Sequence, residues 1–465
     1  MNVSSVGGVR FDANLIARYD GRGPRYTSYP TAPQFTDRFG ADDYRKFALQ
    51  SNASDRPLSL YIHIPFCQSL CYYCGCNKIV TRNQARVTRY LENLHAEIDM
   101  QSEFFSTSRQ VEQLHFGGGT PTYLSDEQMA ALFEKLTHSF SFAAPDEREF
   151  SIEVDPRTVT EASIETLTGL GFNRLSLGIQ DFDHAVQVAV NRVQSKDSVA
   201  TLMQAARGHD FKSISFDLIY GLPQQTTAGF DATLRSVIDM RPDRLAVYNY
   251  AHLPARFKGQ RMIDANLIPS PETKLEILQL TIERLCDAGY CYVGMDHFAL
   301  PGDDLVKARN DHTLQRNFQG YSTHKRCDLI GLGVSSISHV GDCFTQNAIT
   351  TMEYEALLEN GQLPVRKGLA IDDDDVLRAD IIQSLMCYDN LRFAEFDDRY
   401  DISFKSYFAN ELARLVPLAE DGLIEMSNDG IEVTAHGRLL MRNIAMMFDR
   451  HLDPAANGER FSKAI

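Results

Sequence analysis

The sequence lacks an uninterrupted apolar run of roughly 18 residues, the length that a membrane-spanning helix needs. The N-terminal stretch MNVSSVGGVRFDANLIARYD also lacks the apolar segment of a secretory signal. Positive charge is in deficit, because 46 Lys and Arg stand against 62 Asp and Glu in 465 residues, a net charge of −16. Such a chain repels phosphate backbones. We therefore expect a cytoplasmic protein with no membrane span and no nucleic-acid partner.

The composition is otherwise that of a globular protein. Hydrophobic residues make up 43% of the chain and charged residues 23%, which excludes general disorder and provides enough apolar surface for a sizeable core. The length predicts about three domain-sized units, or one large barrel with appended segments.

Short apolar runs alternate with helix-like stretches over much of the chain. Alternation of this kind predicts βαβ units and a parallel sheet. Six such units are too few for a closed eight-stranded barrel, so the pattern predicts an α/β fold with a partial (β/α)6 barrel. The six runs are LSLYIHI from Leu58, VEQLHF from Val111, FSIEV from Phe150, RLSLGI from Arg174, SISFDLI from Ser213 and LAVYNY from Leu245.

Polar or glycine-rich residues lie at the end of each run. The carboxyl ends of barrel strands and the loops after them form the catalytic face of α/β barrels, so all six strand ends indicate one site. The residues concerned include His63, Gly117 to Pro121, Glu153, Asp155, Gln180, Asp181, Asp217 and Asn249 to His252.

The character of the sequence changes near Lys367. Asp372 to Asp375 precede the helical pattern VLRADIIQSLM, and we interpret them as carboxylates at a helix N-terminus. Further on, LIEMS, an Asn-Asp-Gly turn and IEVT predict a hairpin between helices, a winged-helix-like pattern. Five Lys and Arg against seven Asp and Glu between Phe404 and Arg450 disfavour DNA binding. We expect a mostly helical region that covers the barrel.

Four of the nine cysteines lie within ten residues, in the segment CQSLCYYCGC. Clustered thiols in a chain without an export signal indicate metal ligands rather than disulfides. A structural zinc site usually draws on two separated pairs, whereas Cys67, Cys71 and Cys74 at C-x3-C-x2-C spacing can each bind one iron of a cubane and leave its fourth iron open. We interpret the scattered cysteines as structural. These are Cys286, Cys291, Cys327, Cys343 and Cys387.

This loop, preceded by YIHIPF and with Tyr73 before Cys74, resembles the cluster loop of radical S-adenosylmethionine (SAM) enzymes. The resemblance implies a 4Fe-4S cluster on Cys67, Cys71 and Cys74, with Cys76 as an extra cysteine that is not a ligand. It also implies SAM on the open iron, whose reductive cleavage yields a 5′-deoxyadenosyl radical. A cluster of low potential implies a shielded site and an outside electron donor.

Further motifs, among them PRYTSYPTA, HFGGGTPTYL, SIEVDPR, FDLIYGLPQQT and GMDHFA, extend the resemblance over nearly the whole chain. They resemble the oxygen-independent coproporphyrinogen III oxidases, a branch of the radical SAM enzymes. This resemblance implies oxidative decarboxylation of two propionate side chains of coproporphyrinogen III to vinyl groups, which gives protoporphyrinogen IX in anaerobic haem biosynthesis. It implies two SAM molecules and a low-potential donor such as flavodoxin or ferredoxin. We expect a monomer.

The resemblance also implies which residues contact the two SAM molecules. The SAM on the cluster would contact Tyr61, Tyr73, Gly118, Glu153, Ala251 and Ile337. The second SAM would contact Gly119, Thr120, Gln180, Arg192 and Asp217. Glu153 and Asp217 are the candidate catalytic residues, with helix capping or barrel salt bridges as their structural alternative. Gly117 to Gly119 would let the backbone approach a ligand closely.

A tetracarboxylate substrate of an acidic protein needs local cations, preferably arginines. The candidates are Arg22, Arg25 and Arg316, whereas His252 and His297 can equally be core histidines.

The segment PRYTSYP from Pro24 has no helical or strand period of its own. Prolines restrict its backbone and aromatics supply contact area, so it suits a ligand cavity better than a core. We therefore expect residues 1–40 to form an arm over the active site. Residues 41–366 would form the catalytic domain, and residues 367–465 the helical cover domain.

Two alternatives stay open on the sequence alone. A haem carrier of the same family would share the barrel and the three-cysteine loop, but it typically lacks the PRYTSYP segment and the fourth cysteine, both present in this chain. A non-catalytic zinc or winged-helix interaction protein is disfavoured by the acidic wing and by the polar groups at six strand ends.

Overall fold

The computed structural model describes residues 8–19 and 21–452. No helix in these ranges is long and apolar enough to cross a membrane. The strands, in chain order, are β1 (Leu58–Ile64), β2 (Phe66–Cys67), β3 (Ile79–Val80), β4 (Val111–Gly118), β5 (Glu149–Val154), β6 (Arg174–Gln180), β7 (Ser213–Tyr220), β8 (Arg244–Asn249), β9 (Cys291–Gly294), β10 (His297–Ala299), β11 (Gln315–Asn317), β12 (Gly320–Ser322), β13 (Asp328–Leu332), β14 (Ile337–Val340), β15 (Cys343–Asn347), β16 (Val365–Ala370), β17 (Asn390–Arg392), β18 (Ile424–Met426) and β19 (Gly430–Val433).

The helices alternate with the strands in the first half of the chain and dominate its C-terminal part. They are α1 (Ala13–Tyr19), α2 (Ala41–Ser51), α3 (Gln84–Ser102), α4 (Asp126–Ser139), α5 (Glu161–Gly169), α6 (His184–Ala189), α7 (Lys196–Gly208), α8 (Thr227–Met240), α9 (Pro271–Asp287), α10 (Asp304–Asn310), α11 (Thr351–Glu359), α12 (Asp373–Tyr388), α13 (Phe393–Tyr400), α14 (Phe404–Tyr407), α15 (Ala409–Glu420) and α16 (Met441–Ala445).

The chain divides into two compact units, which differ from the expected domains. The barrel unit comprises residues 35–270 and 326–370, and the helical unit comprises residues 1–34, 271–325 and 371–465. The expected boundary at residue 367 lies close to the observed division after Ala370. Residues 271–325, expected in the catalytic domain, group instead with the C-terminal residues. The reason is packing, because Val293 and Leu305 share a hydrophobic cluster with Cys387 of α12.

Seven adjacent parallel strands form the centre of the barrel unit, in the order β13-β1-β4-β5-β6-β7-β8. Six of them are the predicted apolar runs, so the predicted α/β fold is confirmed. Strands β14, β15 and β16 extend the sheet beyond β13 in antiparallel pairs. Core side chains such as Leu114 and Phe116 on β4 are fully buried. Because these seven strands run parallel, their carboxyl ends meet at one edge.

Local sequence explains where the helices of the barrel unit begin and which face they bury. Ser125 and Gln128 form a capping box at the start of α4, in which each side chain accepts from the other's backbone amide, at 3.3 and 3.0 Å. On α3, Val87, Leu94 and Ile98 recur at helical spacing and are fully buried. These helices therefore pack an apolar stripe against the sheet.

The turn after β13 is held by a buried carboxylate of α3. Glu97 is fully buried and accepts hydrogen bonds from the Gly333 amide at 2.7 Å and from the Tyr354 hydroxyl at 2.6 Å. Burial raises the pKa of Glu97 to about 7, although the hydrogen bonds oppose this rise. The turn that precedes β14 is thus fixed by a side chain that no sequence motif indicated.

The helical unit contains a three-stranded antiparallel sheet in the order β17-β19-β18. The predicted hairpin is present as β18 and β19, and Ser427 Oγ accepts from the Gly430 amide at 3.1 Å in its turn. Strand β17, which the pattern did not indicate, pairs with β19. Helices α13 to α15 precede the hairpin, so the prediction of a mostly helical region with a hairpin is confirmed.

The acidic run Asp372 to Asp375 forms the N-cap and first turn of α12, as interpreted from the sequence. Asp372 Oδ1 accepts from the Asp375 amide at 2.9 Å. Arg450 forms ion pairs with Asp372 at 2.7 Å, with Asp374 at 2.6 Å and with Asp375 at 2.9 Å. The carboxylates thus complement the helix N-terminus and one guanidinium group.

The expectation that the PRYTSYP segment avoids a core is wrong for its two tyrosines. Tyr26 and Tyr29 are only 1% and 4% exposed and belong to the main hydrophobic cluster of the helical unit, together with Leu377 and Phe408. The Tyr26 hydroxyl donates to Asp449 at 3.0 Å. The large apolar area of the two tyrosine rings stabilises their buried positions, although the segment that carries them has no regular secondary structure.

Gly333→Ala should destabilise the barrel unit. Gly333 has a φ of +99°, and a Cβ there would lie 2.6 Å from the Tyr90 hydroxyl and 2.7 Å from the His63 carbonyl oxygen. Backbone strain and the displaced Tyr90 hydrogen bond together should cost about 2–4 kcal/mol of unfolding free energy. Urea unfolding followed by circular dichroism measures this loss. In the control Gly208→Ala, the new Cβ meets no atom within 4 Å. That variant should be unchanged or more stable by up to about 1 kcal/mol, and equal losses in both would contradict the prediction.

Candidate active site

The cysteine loop follows β1 and is closed by two short parallel strands. Cys67 ends β2, which pairs with β3. The Cys67 carbonyl accepts from the Thr81 amide at 3.2 Å, and the Pro65 carbonyl accepts from the Ile79 amide at 2.6 Å. Cys71 and Cys74 lie in the loop between these strands, and the cysteines of the loop form no disulfide within the described chain. The loop therefore begins at the carboxyl end of β1, where the sequence predicted a site.

Hydrogen-bond donors reach two of the three sulfur atoms. Thr120 Oγ1 donates to Cys67 Sγ at 3.5 Å. Cys71 Sγ accepts from Arg157 Nη2 at 3.4 Å and from Arg192 Nη1 at 3.5 Å. Such donors stabilise negative charge on sulfur, and metal binding requires thiolates.

The thiols of the loop also influence one another. Burial raises the pKa of Cys67 to about 11, and the charges of Cys74 and Cys71 add to this rise. A hydrogen bond from Cys76 lowers the pKa of Cys74 to about 6, and the charge of Lys78 lowers it further. Three thiols in one short loop, two of them with hydrogen-bond donors at sulfur, fit an iron–sulfur cluster.

Gly118 and Gly119, at the end of β4, approach the start of the cysteine loop. Gly118 has a φ of +118°, and a Cβ there would lie 2.9 Å from the Ile64 carbonyl oxygen. A Cβ at Gly119 would lie 2.7 Å from the Pro65 carbonyl carbon. The expectation that these glycines make room for a ligand is therefore incomplete, since what approaches them is the backbone that leads into the loop.

Glu153 projects from β5 beside these glycines. Its Oε2 accepts from the Gly118 amide at 3.1 Å, and its Oε1 lies 3.6 Å from His115 Nε2. Tyr61 on β1 stacks on the His115 ring, with ring centroids 5.8 Å apart. The Glu153 side chain is 44% exposed, so the carboxylate stays accessible. The structure thus brings together Tyr61, Gly118 and Glu153.

Asp155 holds two arginines against the cysteine loop. Its carboxylate pairs with Arg157 Nη2 at 2.7 Å and with Arg192 Nη1 at 3.1 Å, and both donors also reach Cys71. Burial raises the pKa of Asp155, but the hydrogen bond from Arg157 and the charge of Arg192 hold it below its ordinary value. Sequence reasoning did not select Arg157. Its place in SIEVDPR, directly after a strand end, is the signal that could have indicated it.

Asp217 lies on β7 and accepts from Ser176 Oγ at 2.9 Å. Burial raises the pKa of Asp217 to about 7, and the charge of Glu153 contributes to the rise. Gln180 ends β6 with a φ of +66°. Gly178 leaves space for the Gln180 side chain, because a Cβ there would lie 2.8 Å from Gln180 Nε2.

Gln260 joins two further residues that the resemblance implied. Its Nε2 donates to the Tyr73 carbonyl at 2.9 Å and to the Ala251 carbonyl at 3.2 Å, and the residue is 2% exposed. No motif indicated Gln260, because its role depends on contacts with backbone distant in sequence. Ile337 is the first residue of β14. In the sheet, β13 lies between β14 and β1.

Some of the residues expected to contact the first SAM lie near residues expected to contact the second. Glu153, from the first set, and Asp217, from the second, are close enough for the charge of one to affect the pKa of the other. Thr120 and Arg192, from the second set, contact sulfur atoms of the cysteine loop. The two expected sets are therefore not separated at Glu153 and Asp217 or at the cysteine loop.

The candidate substrate arginines Arg25 and Arg316 lie together in the helical unit. Arg25 forms an ion pair with Asp296, and Arg316 Nε donates to the Arg25 carbonyl at 3.1 Å. Arg442, which the sequence did not indicate, donates through Nε to the Pro24 carbonyl at 2.9 Å. Burial, together with the charge of Arg25, lowers the pKa of Arg442 to about 10. These guanidinium groups hold the arm segment by its backbone.

The remaining candidates are one exposed arginine and two histidines that contact tyrosine side chains. Arg22 is exposed. His252 Nδ1 lies 2.9 Å from the Tyr250 hydroxyl, and His297 meets the Tyr321 ring edge-on at 5.3 Å. Among the scattered cysteines, Cys343 and Cys387 are buried.

Comparison with known proteins gives similarity over nearly the whole chain. The Radical SAM superfamily profile matches residues 61–237, and the HemN C-terminal domain profile matches residues 371–440. The oxygen-independent coproporphyrinogen III oxidase of Pseudomonas aeruginosa is 50% identical over 457 residues, 98% of this chain and 99% of the relative. The Escherichia coli protein of the same name is 47% identical over 463 residues, which are 99% of this chain and 100% of the relative. The solved structure of coproporphyrinogen III oxidase (HemN) from Escherichia coli, described as a radical SAM enzyme, superposes with a TM-score of 0.91 at 46% identity, over 96% of this chain and 100% of that one.

The superfamily profile begins within β1 and reaches most of α8, the part of the barrel unit that carries the cysteine loop. Together with the 46% identical structure of a radical SAM enzyme, which matches 96% of this chain, it shows that the chain is a radical SAM enzyme. This class uses a 4Fe-4S cluster and SAM. Within it, identity of 50% over nearly the full length decides the branch: the chain belongs to the family of oxygen-independent coproporphyrinogen III oxidases. Both resemblances seen in the motifs are thereby confirmed.

Asp217→Asn should make stability less sensitive to pH. Because the folded-state pKa of about 7 exceeds the ordinary 3.8, ionisation of Asp217 costs folding free energy as the pH rises from about 4 to 7. Of the charges that face it, Glu153 raises its pKa, whereas Arg192 and His115 lower it. Above pH 7 the variant should therefore be more stable than the unmodified protein by about 2–4 kcal/mol, and near pH 4 the two should be equal.

Urea unfolding of the metal-free protein between about pH 4 and pH 8 measures this difference. The matched control is Asp146→Asn, which removes an exposed carboxylate of the same unit. Its stability should differ from that of the unmodified protein by the same small amount at every pH. A constant offset for Asp217→Asn as well would contradict the prediction.

Proposed function

We propose that the chain catalyses oxidative decarboxylation of two propionate side chains of coproporphyrinogen III to vinyl groups, giving protoporphyrinogen IX in anaerobic haem biosynthesis. The observation that carries this proposal is the three-thiol loop at the carboxyl edge of the parallel sheet, in a chain 50% identical to an enzyme named for this substrate. When bound, the cluster and SAM supply a carbon radical that can remove a hydrogen atom beside each propionate. No side-chain base could remove that hydrogen as a proton near neutral pH.

Cys67, Cys71 and Cys74 are the proposed cluster ligands, and Cys76 supports Cys74 through its hydrogen bond. Asp155 keeps Arg157 and Arg192 at Cys71, where their positive charges offset the charge of the thiolate. At Cys67, the neutral hydroxyl group of Thr120 stabilises the thiolate through a hydrogen bond.

Two SAM molecules are the proposed cosubstrates, both bound at the strand ends. Glu153 and Asp217 offer carboxylates to the cationic sulfonium and ammonium groups of SAM, and Glu153 is already oriented by the Gly118 amide. The first SAM would contact Tyr61, Tyr73, Gly118, Glu153, Ala251 and Ile337, and the second Gly119, Thr120, Gln180, Arg192 and Asp217. The closeness of Glu153 to Asp217 favours two neighbouring molecules.

Arg22, Arg25 and Arg316 are the proposed contacts of the substrate carboxylates, and residues 1–40 are the proposed arm over the substrate. Charge-assisted hydrogen bonds contribute about 1.5–3 kcal/mol each, so two or three arginines can bind a tetracarboxylate despite the net charge of −16. A monomer that accepts electrons from a flavodoxin or ferredoxin completes the proposal. The haem-carrier alternative has less support, because the relatives that match the full chain are named oxidases.

Serine substitution should separate the cluster ligands from the supporting cysteine. Cys67→Ser, Cys71→Ser and Cys74→Ser should each lose iron and visible absorbance after anaerobic reconstitution, because three thiolates are needed to hold the cluster. Cys76→Ser should keep both. The unmodified holoprotein should release CO2 from coproporphyrinogen III, whereas the first three variants should release none. Loss of the cluster in Cys76→Ser with retention in Cys67→Ser would contradict the ligand assignment, and absence of CO2 from an intact holoprotein would refute the function.

Equilibrium binding should give two SAM molecules per cluster-loaded chain. Gln180→Ala should reduce this number towards one, because Gln180 belongs only to the second set and has no contact with the cysteine sulfur atoms among the hydrogen bonds of the described residues. Arg192→Ala should do the same, provided that its iron content matches that of the unmodified protein. A stoichiometry of one in the unmodified holoprotein would exclude the second SAM.

A further inference from the structure

The cysteine loop lies beside a concentration of positive charge in an otherwise acidic protein. Residues 56–91 contain five Lys and Arg and no Asp or Glu, although the chain carries 62 acidic residues. Lys78 lies at the end of the loop and donates through Nζ to the Cys74 carbonyl at 2.9 Å. Arg82 follows β3 and Arg86 lies in the first turn of α3, and both are exposed. Three cations thus follow the proposed cluster ligands directly.

The acidic side chains of neighbouring α11 do not neutralise these cations, because they pair with other arginines. The pairs are Arg89–Glu355 at 3.3 Å, Arg89–Glu359 at 2.6 Å and Arg366–Glu353 at 3.0 Å. Arg86 Nη2 instead donates to the Thr351 hydroxyl at 3.3 Å. Within residues 21–452, neither Arg82 nor Arg86 forms an ion pair with an acidic side chain. Their charge is therefore available to a partner.

Exposed apolar side chains border the same cations. Val80 is 46% exposed, Ile349 54% and Met352 79%. Asn77 Nδ2 donates to the Ile349 carbonyl at 2.9 Å, which joins this apolar segment to the end of the cysteine loop. Apolar side chains grouped at a surface with charged neighbours are typical of interaction sites. The cationic face is defined by Lys78, Arg82 and Arg86 together with Val80, Ile349 and Met352.

We propose that the cationic face is the docking site of an acidic one-electron carrier of the flavodoxin type. The proposal rests on the proposed function, which needs an electron from outside. A net charge of −16 repels an acidic carrier over most of the surface, so a local excess of cations would select the productive orientation. The apolar side chains suit the methyl-bearing edge of a flavin ring.

The position of the face also suits electron transfer. Gly75 and Cys76, between the proposed ligand Cys74 and Lys78, are exposed, so a docked carrier would lie close to the cluster. In the step itself the flavin is oxidised by one electron and the cluster is reduced by one electron, and no covalent bond forms or breaks. The arginines orient the carrier and do not take part in the electron transfer.

The test uses the charge-reversal variant Arg82→Glu/Arg86→Glu as anaerobic holoprotein. Stopped-flow mixing with fully reduced flavodoxin follows the loss of cluster absorbance, which reports electron arrival and not turnover. The second-order rate constant should fall at least about 10-fold at low ionic strength, because steering by surface charge is lost. The difference should shrink near 0.5 M salt, where charges are screened within about 4 Å. Arg82→Lys/Arg86→Lys should keep the rate of the unmodified protein.

Two controls separate docking from other effects. Arg45→Glu/Lys46→Glu reverses two exposed cations on α2 and should change the rate by no more than about twofold. Photoreduced 5-deazariboflavin, a small neutral reductant, should reduce all variants at one rate, because it needs no docking site. An unchanged flavodoxin rate in Arg82→Glu/Arg86→Glu would overturn the proposal, and so would equal slowing with both reductants. Failure of the proposed function would give a different result from failure of the docking proposal. In that case the unmodified protein would accept electrons from flavodoxin but release no CO2 from coproporphyrinogen III.

Discussion

The approach of β4 to the end of β1 is the contact on which the rest of the site depends. Gly118 and Gly119 lie against the backbone of Ile64 and Pro65, where any side chain would collide with main-chain atoms. The cysteine loop begins at Pro65, so displacement of this backbone would move all three thiols together. The Gly118 amide also donates to Glu153, which orients the carboxylate of the next strand. One close backbone contact thus sets the positions of both the thiols and the carboxylate.

Charge balance is the second constraint at this edge of the sheet. Three thiolates would stand beside Asp155, Glu153 and Asp217, and so much negative charge needs cations nearby. Asp155 is itself buried, yet it pairs with Arg157 and Arg192, and a buried charge left without its partner typically costs about 3–5 kcal/mol. The same pairing fixes both guanidinium groups at Cys71. The pKa of Asp217 is raised instead, chiefly by burial, and the charge of Glu153 contributes to this rise.

Features encoded by local pattern could be predicted from the sequence. The six parallel strands follow from the alternation of apolar runs and helices, and the cap of α12 follows from its acidic run. The cluster ligands that cysteine spacing indicates stay a prediction. Gln260, Glu97 and Arg442 could not be found in this way, because each acts on backbone or side chains far away in sequence. Gln260, for example, joins the carbonyls of Tyr73 and Ala251, and nothing in its own segment indicates them. Arg157 was missed although its place directly after a strand end was a usable signal. The burial of Tyr26 and Tyr29 was missed because an irregular segment gives no periodic signal for a core.

The distribution of cations suggests how one acidic protein can receive two acidic partners. Both a tetracarboxylate substrate and an acidic electron carrier are repelled by the net charge of −16, so each needs its own local excess of positive charge. The candidates for the substrate, Arg25 and Arg316, belong to the helical unit, whereas Arg82 and Arg86 belong to the barrel unit. Because the two sets share no residue, occupation of one leaves the cations of the other available. The proposed carrier would therefore not compete with the substrate for these cations.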